Sequence, residues 1–151
     1  MFDSRSARFV ALLSIFVLVA SCSNAASKAS PGDSASSGEV ATQGLPALAQ
    51  SEFVDMTAQA EVTVIAKDNV FSPQYITISP GTKVIFVNRG RNPHNVIPVQ
   101  ASQFEQIATD DLRPDDQAPL VLDEPGMYPY YCSLHGTPKK GMNGRIQVAA
   151  E

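Results

Sequence analysis

The chain has 151 residues, 44% of them hydrophobic and 17% charged, with 11 Lys and Arg against 15 Asp and Glu for a formal net charge of -4. That size allows one domain with additions, and the acidic balance gives no reason to expect nucleic-acid binding, which usually shows a basic patch or stripe, so no nucleic-acid partner is expected. Two cysteines are too few for a disulfide-built scaffold, and two histidines restrict any metal chemistry to one small site.

The N-terminus reads as a targeting segment. Arg5 and Arg8 supply a positive start, and Phe9 to Ala20 form an apolar run that suits a signal peptide better than a bilayer span, which takes about 20 apolar residues. The run ends in Val19-Ala20-Ser21-Cys22, which resembles the lipobox of bacterial lipoproteins. That resemblance implies a signal peptide over residues 1–21, cleavage before Cys22, and a lipid on the Cys22 thiol. The protein would then be an extracytoplasmic, membrane-anchored lipoprotein, periplasmic or on the outer cell surface.

Residues 22–57 are expected to carry the lipidated cysteine and a flexible tether. From Ser23 to about Gln50 the composition is Ser, Ala and Gly without apolar periodicity, too polar to offset its ordering entropy. A coil of about 30 residues spans roughly 30 Å. Leu45 to Met56 (LPALAQSEFVDM) reads equally as a short helix or as an extended arm against the domain.

Residues 58–151 have the punctuation of an all-β domain. Glu61 to Ala66 alternates, with Val62 and Val64 or else Thr63 and Ile65 facing inward. Tyr75 to Ile78 is a second strand, closed by the turn Ser79-Pro80-Gly81-Thr82, and Lys83 to Asn88 is a third. A long connection, Gln100 to Gln117, carries Asp110, Asp111, Asp115 and Asp116. Leu120 to Leu122, Met127 to Cys132 and Arg145 to Ala149 complete the strands. Short strands separated by Pro-Gly turns predict a β-sandwich or barrel.

The chemistry concentrates near the C-terminus, where YYCSLHGTPKKGMNG places Cys132, His135 and Met142 within one loop, while His94 stands upstream in NPHNV. One thiolate, two imidazoles and a thioether are the donor set of a His₂Cys copper centre with a weak axial methionine, the arrangement used for electron transfer. Cys132 is the one cysteine outside the targeting region, and His94 and His135 are the chain's only histidines. Taken singly, each residue has an ordinary structural use; together they form one pattern. Zinc would not favour the methionine, haem attachment needs a Cys-x-x-Cys-His that is absent, and no third group at motif spacing would orient a Cys132–His135 nucleophile pair.

The segments VIFVNRGRNPHNV and EPGMYPYYCSLHGTPKKGMNGRIQV resemble the two ligand-bearing stretches of the plastocyanin-like cupredoxins, over about Glu61 to Val148. The resemblance implies a Greek-key β-sandwich of about eight strands and one copper ion, Cu(I) or Cu(II), held by His94, Cys132, His135 and Met142. Asn95 would tie the two ligand loops together through Ser133 and aim its backbone N–H at the cysteine sulfur, and Tyr131 would offer a second electron route. It implies a monomeric electron carrier, not an enzyme, serving redox proteins such as cytochromes or membrane electron-transfer complexes. The alternative is a copper-binding module for delivery, storage or sensing. Catalysis of the multicopper oxidase or nitrite reductase kind needs a second copper site and more histidines.

One departure stands out. Six residues, Gly136 to Gly141, separate His135 from Met142, more than in the plant-type plastocyanins. Within this gap Lys139 and Lys140 read either as a cationic collar that docks an acidic partner or as two solvated loop lysines. The aspartate cluster reads as a solvated loop before a docking site for a basic cytochrome.

Overall fold

The computed structural model describes residues 44–150; the signal segment, Cys22 and the first part of the tether lie outside the described residues. Nine strands are formed: β1 (Val54–Asp55), β2 (Glu61–Lys67), β3 (Val70–Ser72), β4 (Tyr75–Ile78), β5 (Lys83–Asn88), β6 (Ile97–Pro98), β7 (Gln117–Val121), β8 (Gly126–Thr137) and β9 (Lys140–Val148). They make a five-stranded sheet in the order β1-β4-β9-β8-β6 and a four-stranded sheet in the order β3-β2-β5-β7. From β3 onward each new strand up to β8 enters the opposite sheet, so the chain laces the two layers together. This is the all-β sandwich that the strand pattern predicts.

Alternation decides which faces meet. In β2 the residues Val62, Val64 and Ala66 are buried and Thr63 and Ile65 are exposed, because β2 pairs in parallel with β5, whose Val84 and Phe86 lie beside Val62 and Val64 and face the same way. Ile76 and Ile78 of β4, Tyr128 and Tyr130 of β8, and Ile146 and Val148 of β9 close the core from the other sheet. At its centre Phe71 and Phe86 meet Tyr130 edge-on, at centroid distances of 5.0 and 5.3 Å. This cluster joins the two sheets, and edge-to-face contacts of this kind add to the area they bury. Between β4 and β5, Pro80 and Gly81 (φ 74°) turn the chain, and the Thr82 N–H donates to Ser79 O at 3.2 Å, where a positive φ at the third position calls for glycine.

The segment before β2 takes the extended option. After one 3-10 turn at Gln50–Glu52, β1 adds to the edge of β4 in parallel. Phe53 lies on Tyr75 with centroids 5.7 Å apart, and the Arg145 guanidinium donates to Pro46 O at 2.6 Å. Residues 44–53 therefore form an arm over the outer face of the five-stranded sheet, which is what buries Arg145.

Strands β8 and β9 exceed the expected spans. Alternation of apolar side chains stops near Cys132 and resumes at Arg145, but main-chain pairing continues through Gly136↔Gly141 and Thr137↔Lys140. Side-chain pattern reports burial, and these tip residues are paired without being buried.

One buried polar atom in the core is unmatched. The Tyr130 hydroxyl has no hydrogen-bond partner, and burial pushes its pKa up, so it stays protonated. The ring lies so close over Gly144 that a Cβ there would collide with the Tyr130 hydroxyl end. An unsatisfied buried hydroxyl costs about 1–3 kcal/mol. Tyr130→Phe, which keeps the ring contacts and deletes the orphan oxygen, is therefore expected to raise the midpoint of urea unfolding; a lower midpoint would show that the hydroxyl is satisfied after all.

Candidate metal centre

Three of the four residues singled out in the sequence bring their donor atoms to one point. His94 Nδ1 lies 3.1 Å from His135 Nδ1, and Cys132 Sγ lies 3.8 Å from His94 Nδ1 and 3.5 Å from His135 Nδ1. A point about 2 Å from all three atoms lies inside that triangle, the reach of a metal–imidazole bond. Cys132 is a free thiol, and no carboxylate belongs to the group. A soft thiolate with two imidazoles fits copper, so the residues present suit the metal that the donor types suggest.

The local backbone explains the convergence. In the β8–β9 ladder the pair Tyr131↔Asn143 is followed by Gly136↔Gly141. Four residues of β8, Cys132 to His135, thus stand opposite the single residue Met142. Such an excess cannot lie flat in a sheet and bends the strand outward. Cys132 stays on the inner face, continuing Tyr128 and Tyr130, while His135 swings back at the end of the excursion. Met142 is fully buried on the facing strand. The six-residue gap is therefore no open loop: it extends the hairpin, with Pro138 and Lys139 as its turn and the Lys140 N–H donating to Thr137 Oγ1 at 3.2 Å. Gly141 (φ 79°) adopts a conformation that side chains rarely take, and a Cβ there would stand 2.7 Å from His135 O. Glycine at this point lets the hairpin close against the metal end.

His94 arrives from the other layer, on the loop that follows β5. Its backbone N–H donates to Leu112 O at 3.0 Å, and its side chain is fully buried. Burial, then the neighbouring His135, lowers its pKa, with Asp68 opposing. The net lowering favours the neutral imidazole that a metal requires. Its Nε2 is buried without a partner.

The two ligand-bearing segments are tied together directly. Asn95 Oδ1 accepts from the Ser133 N–H at 2.9 Å, and Asn95 Nδ2 donates to Ser133 Oγ at 2.9 Å. Cys132 Sγ has the two imidazoles as polar contacts. Thr109, not singled out in the sequence, accepts from Asn95 Nδ2 at 3.2 Å; a threonine in an irregular connection gives no pattern by which to find it. Leu134, also missed, is 51% exposed because it lies inside the excursion, where strand alternation no longer holds. Tyr131 is half-buried and paired with Ile97, on the face opposite Cys132. Lys139 and Lys140 are exposed at the hairpin tip.

Comparison with known proteins gives the same answer. A family model described as copper binding proteins, plastocyanin/azurin family, matches residues 58–149. The plastocyanin of Lactuca sativa is 32% identical over 100 residues, covering 59% of this chain and 99% of that protein. The amicyanin of Paracoccus versutus is 33% identical over 95 residues, covering 62% of this chain and 68% of that protein. Among solved structures, the fold is similar to a copper-containing nitrite reductase from Thermus scotoductus, with a TM-score of 0.51 and 29% identity, over 60% of this chain and 23% of that one. It is also similar to a reduced amicyanin variant, with a TM-score of 0.52 over 62% of this chain and 87% of that one, where 23% identity speaks to the fold alone. With the family matched across more than half its length and a His-Cys-His group converging in the structure, this chain belongs to the copper-binding proteins of the plastocyanin/azurin family and takes one copper ion.

Proposed function

We propose that the protein is an extracytoplasmic one-electron carrier whose copper is held by His94, Cys132 and His135, with Met142 as the weak axial ligand. The observation that carries this reading is the convergence of three donor atoms within 3.1–3.8 Å at a buried end of the sandwich. Copper bound there supplies a one-electron couple between Cu(I) and Cu(II). The residues supply a fixed frame. Cys132 and Met142 are held by the ladder on either side of the excursion, and Asn95 and Ser133 lock the loop of His94 to it. A frame that moves little between oxidation states keeps the reorganisation cost of electron transfer low.

Two features favour a carrier over an enzyme or a delivery module. Both histidines of the chain belong to one cluster, leaving none for a second copper site with an open position. His94, Cys132 and Met142 are fully buried, whereas a site built for handing over the ion needs accessible donors. The purified soluble domain with Cu(II) is expected to show an intense thiolate-to-copper band and narrow hyperfine splitting. Cys132→Ser should abolish both, and a colourless wild-type complex would end this reading.

His135 is the ligand nearest solvent, with Leu134 exposed beside it. We assign this end to docking of redox proteins, such as cytochromes or membrane electron-transfer complexes, with Lys139 and Lys140 steering an acidic partner. Replacing both lysines with Ala is expected to flatten the ionic-strength dependence of the second-order electron-transfer rate. An unchanged salt slope would reduce them to solvated turn residues.

The same reading makes the chain a lipoprotein anchored through Cys22, its tether letting the copper domain reach partners at the membrane. Stable anchoring takes more than one acyl chain. Cells expressing the full chain should incorporate labelled palmitate into it, and Cys22→Ser should lose the label and release the protein from the membrane fraction; label retained in that variant would overturn the assignment.

A further inference from the structure

We infer that Asn88 is a positioning residue for His94, controlling from one buried carboxamide both the backbone of that histidine and the surface against its Nε2; the inference rests on the copper reading above. Asn88 ends β5 and is fully buried. Its side chain has one acceptor oxygen and two N–H donors, and all three groups are used. Oδ1 accepts from the Gly90 N–H at 2.8 Å. Nδ2 donates to Asn92 O at 2.8 Å and to Leu112 O at 3.0 Å. Its main chain adds two more bonds: the Asn88 N–H donates to Asp116 O at 2.9 Å, and the Asp115 N–H donates to Asn88 O at 3.1 Å.

Two of these partners act on His94. Leu112 O, which Asn88 Nδ2 holds, is also the acceptor of the His94 backbone N–H at 3.0 Å. One carbonyl therefore couples the carboxamide to the ligand's own main chain. Gly90, which Asn88 Oδ1 holds, lies against Nε2 of the imidazole: a Cβ on Gly90 would stand 3.2 Å from Asp68 N, 3.3 Å from His94 Nε2 and 3.3 Å from Asn88 Oδ1. Nε2 is the ring nitrogen turned away from Cys132 and His135 and is buried without a partner. The ring's position is thus set by packing on the Gly90 turn, whose placement depends on Asn88.

The donor–acceptor pattern requires an amide. Aspartate has the same shape but would face two carbonyl oxygens, Asn92 O and Leu112 O, with an acceptor; alanine would lose all three bonds. Groups that orient metal-bound histidines change metal affinity about 10- to 100-fold when removed. A residue that merely staples a loop would lower stability and leave the metal centre alone.

The test compares the Cu(II)-loaded wild type with Asn88→Asp, Asn88→Ala, Gly90→Ala and, as a structural control at the opposite end of β5, Thr82→Ala, which removes the bond from Thr82 Oγ1 to Gln59 O. Release of copper to a chelator, the electron paramagnetic resonance hyperfine splitting and the unfolding midpoint are measured together. Asn88→Ala should release copper about 10- to 100-fold faster with an altered hyperfine splitting, and Asn88→Asp should do so more mildly. Thr82→Ala should lose stability with an unchanged centre. In the apo protein, amide exchange at His94 should accelerate in Asn88→Ala relative to Val84, a readout that needs no metal. If the Asn88 variants fail to fold, Gly90→Ala decides, since its Cβ would press on both Asn88 Oδ1 and His94 Nε2, and a wild-type centre in that variant would overturn the inference. Wild-type release, splitting and His94 exchange in folded variants would overturn the inference. A wild type that never turns blue would instead defeat the copper reading, while His94 exchange still judged the role of Asn88.

Discussion

Between the pairs Tyr131↔Asn143 and Gly136↔Gly141, β8 has to place four residues where β9 places one, and the ladder resumes on both sides of the excess. The geometry of the metal end depends on this mismatch. A regular antiparallel pair would send Cys132 and His135 to opposite faces, since they are three residues apart. The excursion returns His135 to within 3.5 Å of the Cys132 sulfur. The resumed pairing at Gly136↔Gly141 and Thr137↔Lys140 then prevents the excursion from spreading, because any slip would break two more pairs. Extra length between His135 and Met142 has therefore gone into paired strand at the hairpin tip, and the segment that carries the donors stays short.

The second half of the site has a different origin. His94 lies outside the ladder and is held by bonds between loops: its N–H to Leu112 O, and the paired bonds of Asn95 with Ser133. The stiff half and the looped half meet above the cluster of Phe71, Phe86 and Tyr130, which fixes the separation of the sheets. Donors drawn from both layers can be aligned only if that separation is constant, so the aromatic core serves the site as well as the fold. The unpaired Tyr130 hydroxyl at its centre is a cost that the ring contacts outweigh.

Much of this could be read from residues alone, for a physical reason. β2 buries one face against the other sheet, so alternation marks it, whereas β4 and β5 show as short runs ended by turn signals; the choice between Val62 and Val64 or Thr63 and Ile65 waited on β5 as the partner. The convergence of His94, Cys132 and His135 was legible because the chain has so few such residues, and the Asn95–Ser133 link through the resemblance to the cupredoxins. β1, β6 and the tip of the β8–β9 hairpin were not legible, since they are built by main-chain pairing with little burial. Asn88 was hidden for another reason: the sequence reads it as the last residue of the third strand, and only the three-dimensional placement of Leu112 O and Gly90 shows what it holds.

Charge at the metal end follows from how the ionic groups are paired. Among the described residues, ion pairs join Arg113 to Asp110 at 2.8 Å and Arg89 to Asp115 at 3.8 Å, while neither Lys139 nor Lys140 is in one. Exposed pairs of this kind add little stability, but each cancels much of the field its carboxylate would project. The acidic connection after Thr109 is thereby partly neutralised by its own Arg113 and by Arg89 from the loop after β5, whereas Lys139 and Lys140 at the hairpin tip have no such partner among the described residues. On the docking reading proposed above, a chain that is acidic overall would offer local positive charge beside His135. Over a Debye length of about 8 Å in physiological salt, a partner docking there would meet that local sign before the net charge.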